Sequence, residues 1–382
     1  MKVVNMLYLF LYILPVIAFL VVYYLGLRKR YIHVWLWNYY KRKSVKAPHR
    51  HIMFCFVDHY EPYQSGATPE QAVDRVNRWL TDYPKFASQY VDADGRHPQH
   101  TFFYPEEEYK EELLDKVASI CKKGFGEVEI HLHHDNDTDD GFINKVETFK
   151  NILHKRHNLL HTLNGKIVFG FIHGNWALDN SCRNGKWCGL NNEISLLKKL
   201  GCYADFTMPS GPNECQTSTV NSIYYAIDDP DLPKSHDKGI LVEKGKIPEG
   251  DLMIIQGPIS LLWSNRKLGL WPRIEYGDIT PINAIPLEKR IDSWVNQNIH
   301  VKGCNEWVFI KVHTHGGLEK NADNLFKYKQ FDKLHQHLLS NYNDKIKHTL
   351  HYVTAREMYN IIKAAEAGHN GNPDNYRDYL IK

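Results

Sequence analysis

The chain has 382 residues, 43% of them hydrophobic, and a formal net charge of +3, enough apolar material for one large core or two ordinary ones. The near balance of charge, with no RNA- or DNA-reading motif in the sequence, excludes a nucleic-acid-binding protein. Seven scattered cysteines, an odd number, show no disulfide framework and fit a reducing compartment.

The first element is apolar. From Met6 to Leu27 no residue is charged, and about 20 helical residues cross a hydrocarbon layer of about 30 Å, so a transmembrane helix over about 6–27 is expected. Arg28, Lys29 and Arg30 follow, then "YIHVWLWNYYKRK", whose mixed Trp, Tyr, Lys and Arg suit a headgroup-level belt. Only Lys2 precedes the span, and the positive-inside rule then puts the rest of the chain on the cytoplasmic face. The expected organisation is a membrane anchor with its juxtamembrane segment over 1–47 and a catalytic domain over 48–382.

From about residue 47 strands and helices alternate. "HIMFCFVD" reads as a buried strand, and "TPEQAVDRVNRWL" as a helix capped by Thr68, with Pro69 in its first turn and Gln71 completing a capping box. "HTFFY" is a strand and 105–124 a helix. Strand "EVEIHLHH", a helix over 143–160, strand "KIVFGFIHG", helix "NNEISLLKKLG" and strand "CYADFTMP" follow. Further on, "DLMIIQGPI" and "EWVFIKVHTHG" read as strands. Helices are expected at 286–298, near 322–340 and at 354–368. This order implies parallel strands joined by crossovers, hence an α/β sheet or barrel.

In such folds chemistry gathers where strands end. The tips here are "FVDHYEP", "FFYPEEE", "HLHHDND", "FIHGNW", "DFTMPSG" and "VHTHGG", five of which carry His or Asp. Imidazoles with carboxylates suit Zn²⁺ or a similar divalent ion, and three such ligands with an open position make a hydrolytic site. Side chains alternate along a strand, so His131 and His133 share a face that His134 does not, and His313 and His315 likewise share one. Trp176, Trp263 and Trp271 sit in predicted loops and suit stacking on sugar rings. The long connection holding Arg266 and Arg273 lies near the expected rim. Cys182 and Cys188 have no second pair at zinc-ribbon spacing, and free thiols are expected there.

These tips resemble the NodB-homology polysaccharide deacetylases, carbohydrate esterases with a distorted (β/α)7 barrel. "CFVDHY" is similar to the family's first motif, "EIHLHHDND" to its metal-binding motif, and "IKVHTHG" to its late strand ending in a catalytic histidine. The likeness runs over roughly residues 50–360. It implies a divalent ion, most readily Zn²⁺, held by Asp58, His133 and Asp137, with His131 as a spare ligand or a supporting partner. It implies Asp58 as ligand or base, and His313 as general acid with His315 beside it. It leaves His59, His173, Asn175, Trp176 and Arg273 to contact substrate. Three departures stand out: one aspartate where the family has two, Asp137 at a histidine position, and "HGNW" in place of an Arg-Pro motif.

The function so implied is a membrane-anchored hydrolase that removes an N- or O-acyl group from a carbohydrate, polysaccharide or lipid-linked, through metal-activated water. Two alternatives stand beside it. One is a glycoside hydrolase of a related barrel type, with Glu61, Glu106 and Asp205 as candidate carboxylates. The other is an inactive glycan-binding or scaffold protein.

Overall fold

The computed structural model describes residues 12–42, 44–263, 269–280 and 285–382; Arg266 and the first residues of the expected membrane span, 6–11, lie outside them. Two helices come first, α1 (Leu14–Lys29) and α2 (Ile32–Lys41). Next are β1 (Arg50–His59), α3 (Pro69–Ala87), β2 (His100–Pro105), α4 (Glu111–Lys122), β3 (Gly126–Leu132) and α5 (Asp139–Lys155). The short β4 (His161–Leu163), β5 (Lys166–His173), α6 (Glu193–Leu200) and β6 (Cys202–Asp205) continue the pattern. Then come β7 (Ile223–Ala226), β8 (Ile240–Leu241), β9 (Leu252–Ile255) and a ribbon of β10 (Ser260–Leu262) and β11 (Arg273–Glu275). Last are α7 (Leu287–Gln297), β12 (Trp307–Thr314), α8 (Gln330–Tyr342), β13 (His348–Val353) and α9 (Ala355–Glu366).

The fold is mixed α/β around one large sheet of order β12-β1-β2-β3-β5-β6-β9-β7-β8, with β13 also on β1 and β4 on β5. Pairs from β12 through to β9 are parallel, and β7 joins antiparallel. The parallel strands therefore end along one rim, as the alternation of elements requires.

Each strand splits its side chains between two layers. Ile52, Phe54 and Phe56 of β1 face the helices with Phe102, Val128 and Ile130, and meet Val76 and Trp79 of α3. Met53, Cys55 and Val57 face the other way, with Phe103, Ile172, Trp307 and Phe309. Helix α3 starts as its sequence dictates. Thr68 accepts from the Gln71 amide at 3.3 Å, and the Gln71 side chain accepts from the Thr68 amide at 2.8 Å, satisfying donors that a helix start leaves open.

The N-terminal expectation is corrected. No helix among the described residues is long and apolar enough to cross a membrane. Helix α1 carries Arg28 and Lys29 in its last turn. The single-pass anchoring, and the cytoplasmic-face placement that rested on it, are therefore not retained. The Trp/Tyr-rich stretch read as a headgroup belt has a different physical role. Helix α2 buries Ile32 and Trp35 against Val220, Ile259 and Ile274. Around it, Arg30 donates to the Pro272 carbonyl at 2.8 Å, Asn38 to that of Ser218 at 2.8 Å, and Arg42 to that of Asn221 at 3.2 Å. Trp271, expected in a substrate loop, packs edge-on against Tyr23 at 4.6 Å.

Trp35→Ala tests this packing. A fully buried tryptophan exchanged for alanine costs about 3–5 kcal/mol, so denaturant unfolding should show that loss. An unchanged midpoint would mean that α2 lies free of the core.

Candidate functional site

The rim is built from four strand ends. β1 places His59 inward and runs on to Glu61; β2 runs into a single turn, Glu106–Glu108. β3 places His131 inward and leads to His133, and β12 ends with His313 and His315. Register fixes these directions, because paired residues share a face: Val57 pairs with His313, His59 with Phe103 and Pro105 with His131.

At the centre His131 Nε2 lies 3.1 Å from Glu61 Oε1, while its Nδ1 donates to the Ile172 carbonyl at 2.8 Å. His133 stands between two carboxylates, with Nδ1 2.5 Å from Glu107 Oε1 and Nε2 3.8 Å from Glu61 Oε1. The rings of His59 and His315 stack at 4.6 Å. His313 is further back, 6.1 Å from His59 and 5.6 Å from the Tyr276 ring. Trp176 stands over the group, 6.4 Å from His315 and 6.5 Å from His59. Both Asn175 and Trp176 hold positive φ, 55° and 58°, a left-handed backbone that costs of order 1–3 kcal/mol per residue and collects at functional sites. Gly174 before them has to be glycine, since a Cβ there would sit 2.2 Å from the His133 ring.

Charge is distributed unevenly on this rim. Burial works to raise Glu61, but its hydrogen bond to His131 and the nearby imidazoles outweigh it and hold the carboxyl below the usual range. Glu107 is likewise held down by His133 despite burial. Glu108 goes the other way. Burial, with Glu61 and Glu107 adding to it, pushes Glu108 up to about 7 against the opposing Tyr63 amide, which donates to Glu108 at 2.6 Å. Burial and the neighbouring imidazoles drive His59 well below its ordinary value, and burial with Lys311 does the same to His313. Two carboxylates pushed apart in acidity on one surface mark candidate acid and base.

The residues named from sequence divide into two groups. His59, His131, His133, His313, His315 and Trp176 converge on the rim. Asp58 does not join them: alternation turns it into the helix layer, where its Oδ2 is 2.9 Å from His100 Nε2 and its Oδ1 accepts from the Gly316 amide at 2.7 Å. Asp137 is also elsewhere, bound by Lys145 at 2.7 Å and 3.3 Å from His134 Nδ1. The trio Asp58, His133 and Asp137 is therefore not brought to one point. His173 faces the helix layer beside Glu193, at 3.5 Å. Asn175 is exposed at the turn. Arg273 lies on β11 near Arg30, whose pKa is lowered by burial first and by the charge of Arg273 second. Cys182, expected as a thiol, is joined to Cys215 in a disulfide. Glu107 and Glu108 were missed because "PEEEYK" reads as an acidic helix start, whereas its first turn is separate and hangs over the rim.

No protein-family model and no curated protein matches the chain. Among solved structures it is similar to a 4-alpha-glucanotransferase from Thermococcus litoralis, at 10% identity with a TM-score of 0.43, over 81% of this chain and 40% of that one. It is also similar to a GH57 branching enzyme from Thermococcus kodakaraensis, at 10% identity and a TM-score of 0.35, over 80% of this chain and 72% of that one. The resemblance to NodB-homology deacetylases is corrected: no family model matches the chain and the ligand set that the resemblance implies is not brought together, so removal of an acyl group from an amide or ester is withdrawn with it.

Asp58→Ala separates structure from chemistry at this aspartate. Deleting it leaves His100 and the Gly316 amide buried without their partner, and breaking a buried pair costs about 3–5 kcal/mol. Chemical denaturation should show that loss. Full stability with lost turnover would put Asp58 back among the reacting groups.

Proposed function

We propose that the protein is a hydrolase of glycosidic bonds that works at the carboxyl-edge rim of its parallel sheet, with Glu61 as base and Glu108 as acid. We read the run β12-β1-β2-β3-β5-β6-β9 as the wall of a distorted (β/α)7-type barrel, with the rim as its mouth. The observation that carries the proposal is the pair of carboxyls with opposite charge states. Glu61 is kept ionised by His131, and Glu108, raised to about 7, keeps its proton near neutrality. Glu108 is hydrogen-bonded to the loop that carries Glu61, through the Tyr63 amide.

In the reaction Glu108 gives its proton to the departing glycosidic oxygen while Glu61 accepts one from the water that attacks the anomeric carbon. The positive charge that develops on the sugar ring faces Glu61 and Glu107. Trp176, half-buried over His59 and His315, offers an aromatic face for the apolar side of a sugar ring.

A second reading rests on one hydrogen bond. With its Nδ1–H committed to the Ile172 carbonyl, a neutral His131 turns a lone pair toward Glu61. A divalent cation between them resolves that contact. Donor atoms of Glu61, His131 and His133 lie within 4.8 Å of one another, as do those of His59, Glu61 and His315. A cation there, most readily Zn²⁺, would supply a Lewis acid and lower the pKa of a bound water.

The test is turnover on a panel of α- and β-linked oligosaccharides, read as new reducing ends. Glu61→Gln should lower the rate by about 10²–10⁴. Activity should fall as pH rises through about 7, where Glu108 loses its proton, and the residual activity of Glu108→Gln should lack that alkaline fall. No new reducing ends from any linkage, or full activity in Glu61→Gln, would overturn the proposal. The two readings part on chelation: the carboxyl pair works without a cation, and the second reading requires that a chelator abolish turnover and zinc restore it.

A further inference from the structure

A second group of metal-type donors lies in the helix layer, behind the rim. It joins four separate pieces of chain: His134 just past β3, His173 at the end of β5, Cys188 in the irregular segment 174–192, and Glu193, the first residue of α6. All four are buried, and one donor atom from each lies within 4.8 Å of the other three.

The hydrogen bonds around the group orient it. His173 Nδ1 is 2.5 Å from the Gly174 carbonyl, which fixes its proton there and turns the Nε2 lone pair inward. That Nε2 is fully buried, has no hydrogen-bond partner and faces Glu193 Oε1 at 3.5 Å. His134 reaches the same oxygen, its Nε2 hydrogen-bonded to Glu193 Oε1 at 3.2 Å, while its Nδ1, buried without a hydrogen-bond partner, lies 3.3 Å from Asp137 Oδ2. A carboxylate behind a histidine is what commonly orients an imidazole toward a metal. Asp137, itself held by Lys145 at 2.7 Å, supplies it. The sulfur of Cys188 accepts from two backbone amides, Asn180 and Leu190, each at 3.4 Å. The thiol in turn donates to Glu193 Oε2 at 3.4 Å, and burial with that carboxylate favours its protonated form, so a bound cation is what would draw out the proton. Glu193 Oε2 accepts from the Asp179 amide at 2.7 Å, which leaves Oε1 facing both imidazoles.

Without an ion, His134 Nε2 and the Cys188 thiol hydrogen-bond to Glu193, but the buried His173 Nε2 lone pair faces the same carboxylate with no donor, an expensive arrangement for a buried polar group. A tetrahedral cation with mixed N, S and O preference gives that lone pair a partner and suits the other three donors. The segment 174–192 also has reason to be tied. It contains only single turns between β5 and α6, with left-handed backbone at Asp179 and Asn180, and it carries Trp176 to the rim. Loops of this length without regular structure are uncommon unless something holds them.

We infer that His134, His173, Cys188 and Glu193 form a closed structural zinc site, which pins the 174–192 segment and so holds Trp176 over the rim. The inference does not depend on the reaction performed there.

The experiment uses the full chain, stripped of metal and titrated with Co²⁺ alone. A thiolate-to-cobalt charge-transfer band in the near ultraviolet should rise and saturate. The rim donors contain no sulfur, so Glu61→Gln should keep the band, and Cys202→Ser should keep it too. Cys188→Ser should lose the band and one equivalent of bound zinc. Should Cys188→Ser not fold, the wild-type protein still decides: chelation should lower Tm by several degrees and zinc should restore it. Absence of the band in metal-stripped wild type, or a band that survives in Cys188→Ser, would overturn the site.

Discussion

The alternation of side chains along parallel strands in register is the constraint on which everything else in this molecule depends. Because Val57 pairs with His313 and Asp58 with Thr314, neighbouring residues of one strand tip are sent to opposite sides of the sheet. Two polar clusters result, back to back. His59, His131 and His133 serve the rim, while Asp58 with His100, and His134 with His173, serve the helix layer. A slip of one residue would exchange them.

The two clusters have different physical characters. The rim group is partly open: His133 and Glu107 have side chains 31% and 35% exposed, which leaves room for a substrate. Below it the interior stays polar, with Lys311 donating to the Phe206 and Met208 carbonyls and Glu129 pushed up to about 8 by burial. The helix-layer group is shut, with the His134 and Glu193 side chains wholly buried. An open donor set suits chemistry and a closed one suits structure. Asp58 links the two layers through its contacts with His100 and the Gly316 amide. Its bond to the Gly316 amide holds the turn that presents His315, and a Cβ at Gly316 would fall 2.2 Å from Asp58 Oδ2.

Much of this was legible in the sequence. The α/β order, the capping box of α3, the strand tips and the common face of His131 and His133 follow from period and local chemistry. The direction of Asp58 was readable by the same alternation, since His59 beside it must face the other way, but the motif likeness drew both to one pocket. Glu107, Glu108, Cys188 and Glu193 were not legible as site residues. Their positions depend on loops and on contacts far apart in the chain, such as His134 with Glu193, 59 positions apart, for which period-based reading has no signal. The apolar N-terminus misled for a related reason: aromatic residues interleaved with basic ones look alike whether they meet headgroups or, as with Trp35, a neighbouring strand ribbon.

The central claim is that sugar is bound and cleaved at the rim, between Glu61 and Glu108. A crystal structure with a slowly cleaved thio-linked oligosaccharide measures this directly. The account predicts a sugar ring stacked on Trp176, with the scissile sulfur beside Glu108 and the anomeric carbon facing Glu61. The opposite edge of the sheet carries a cavity of about 480 Å³ lined by His97, Gly126, Glu127 and His161. An oligosaccharide found there, with the rim empty, would contradict the account.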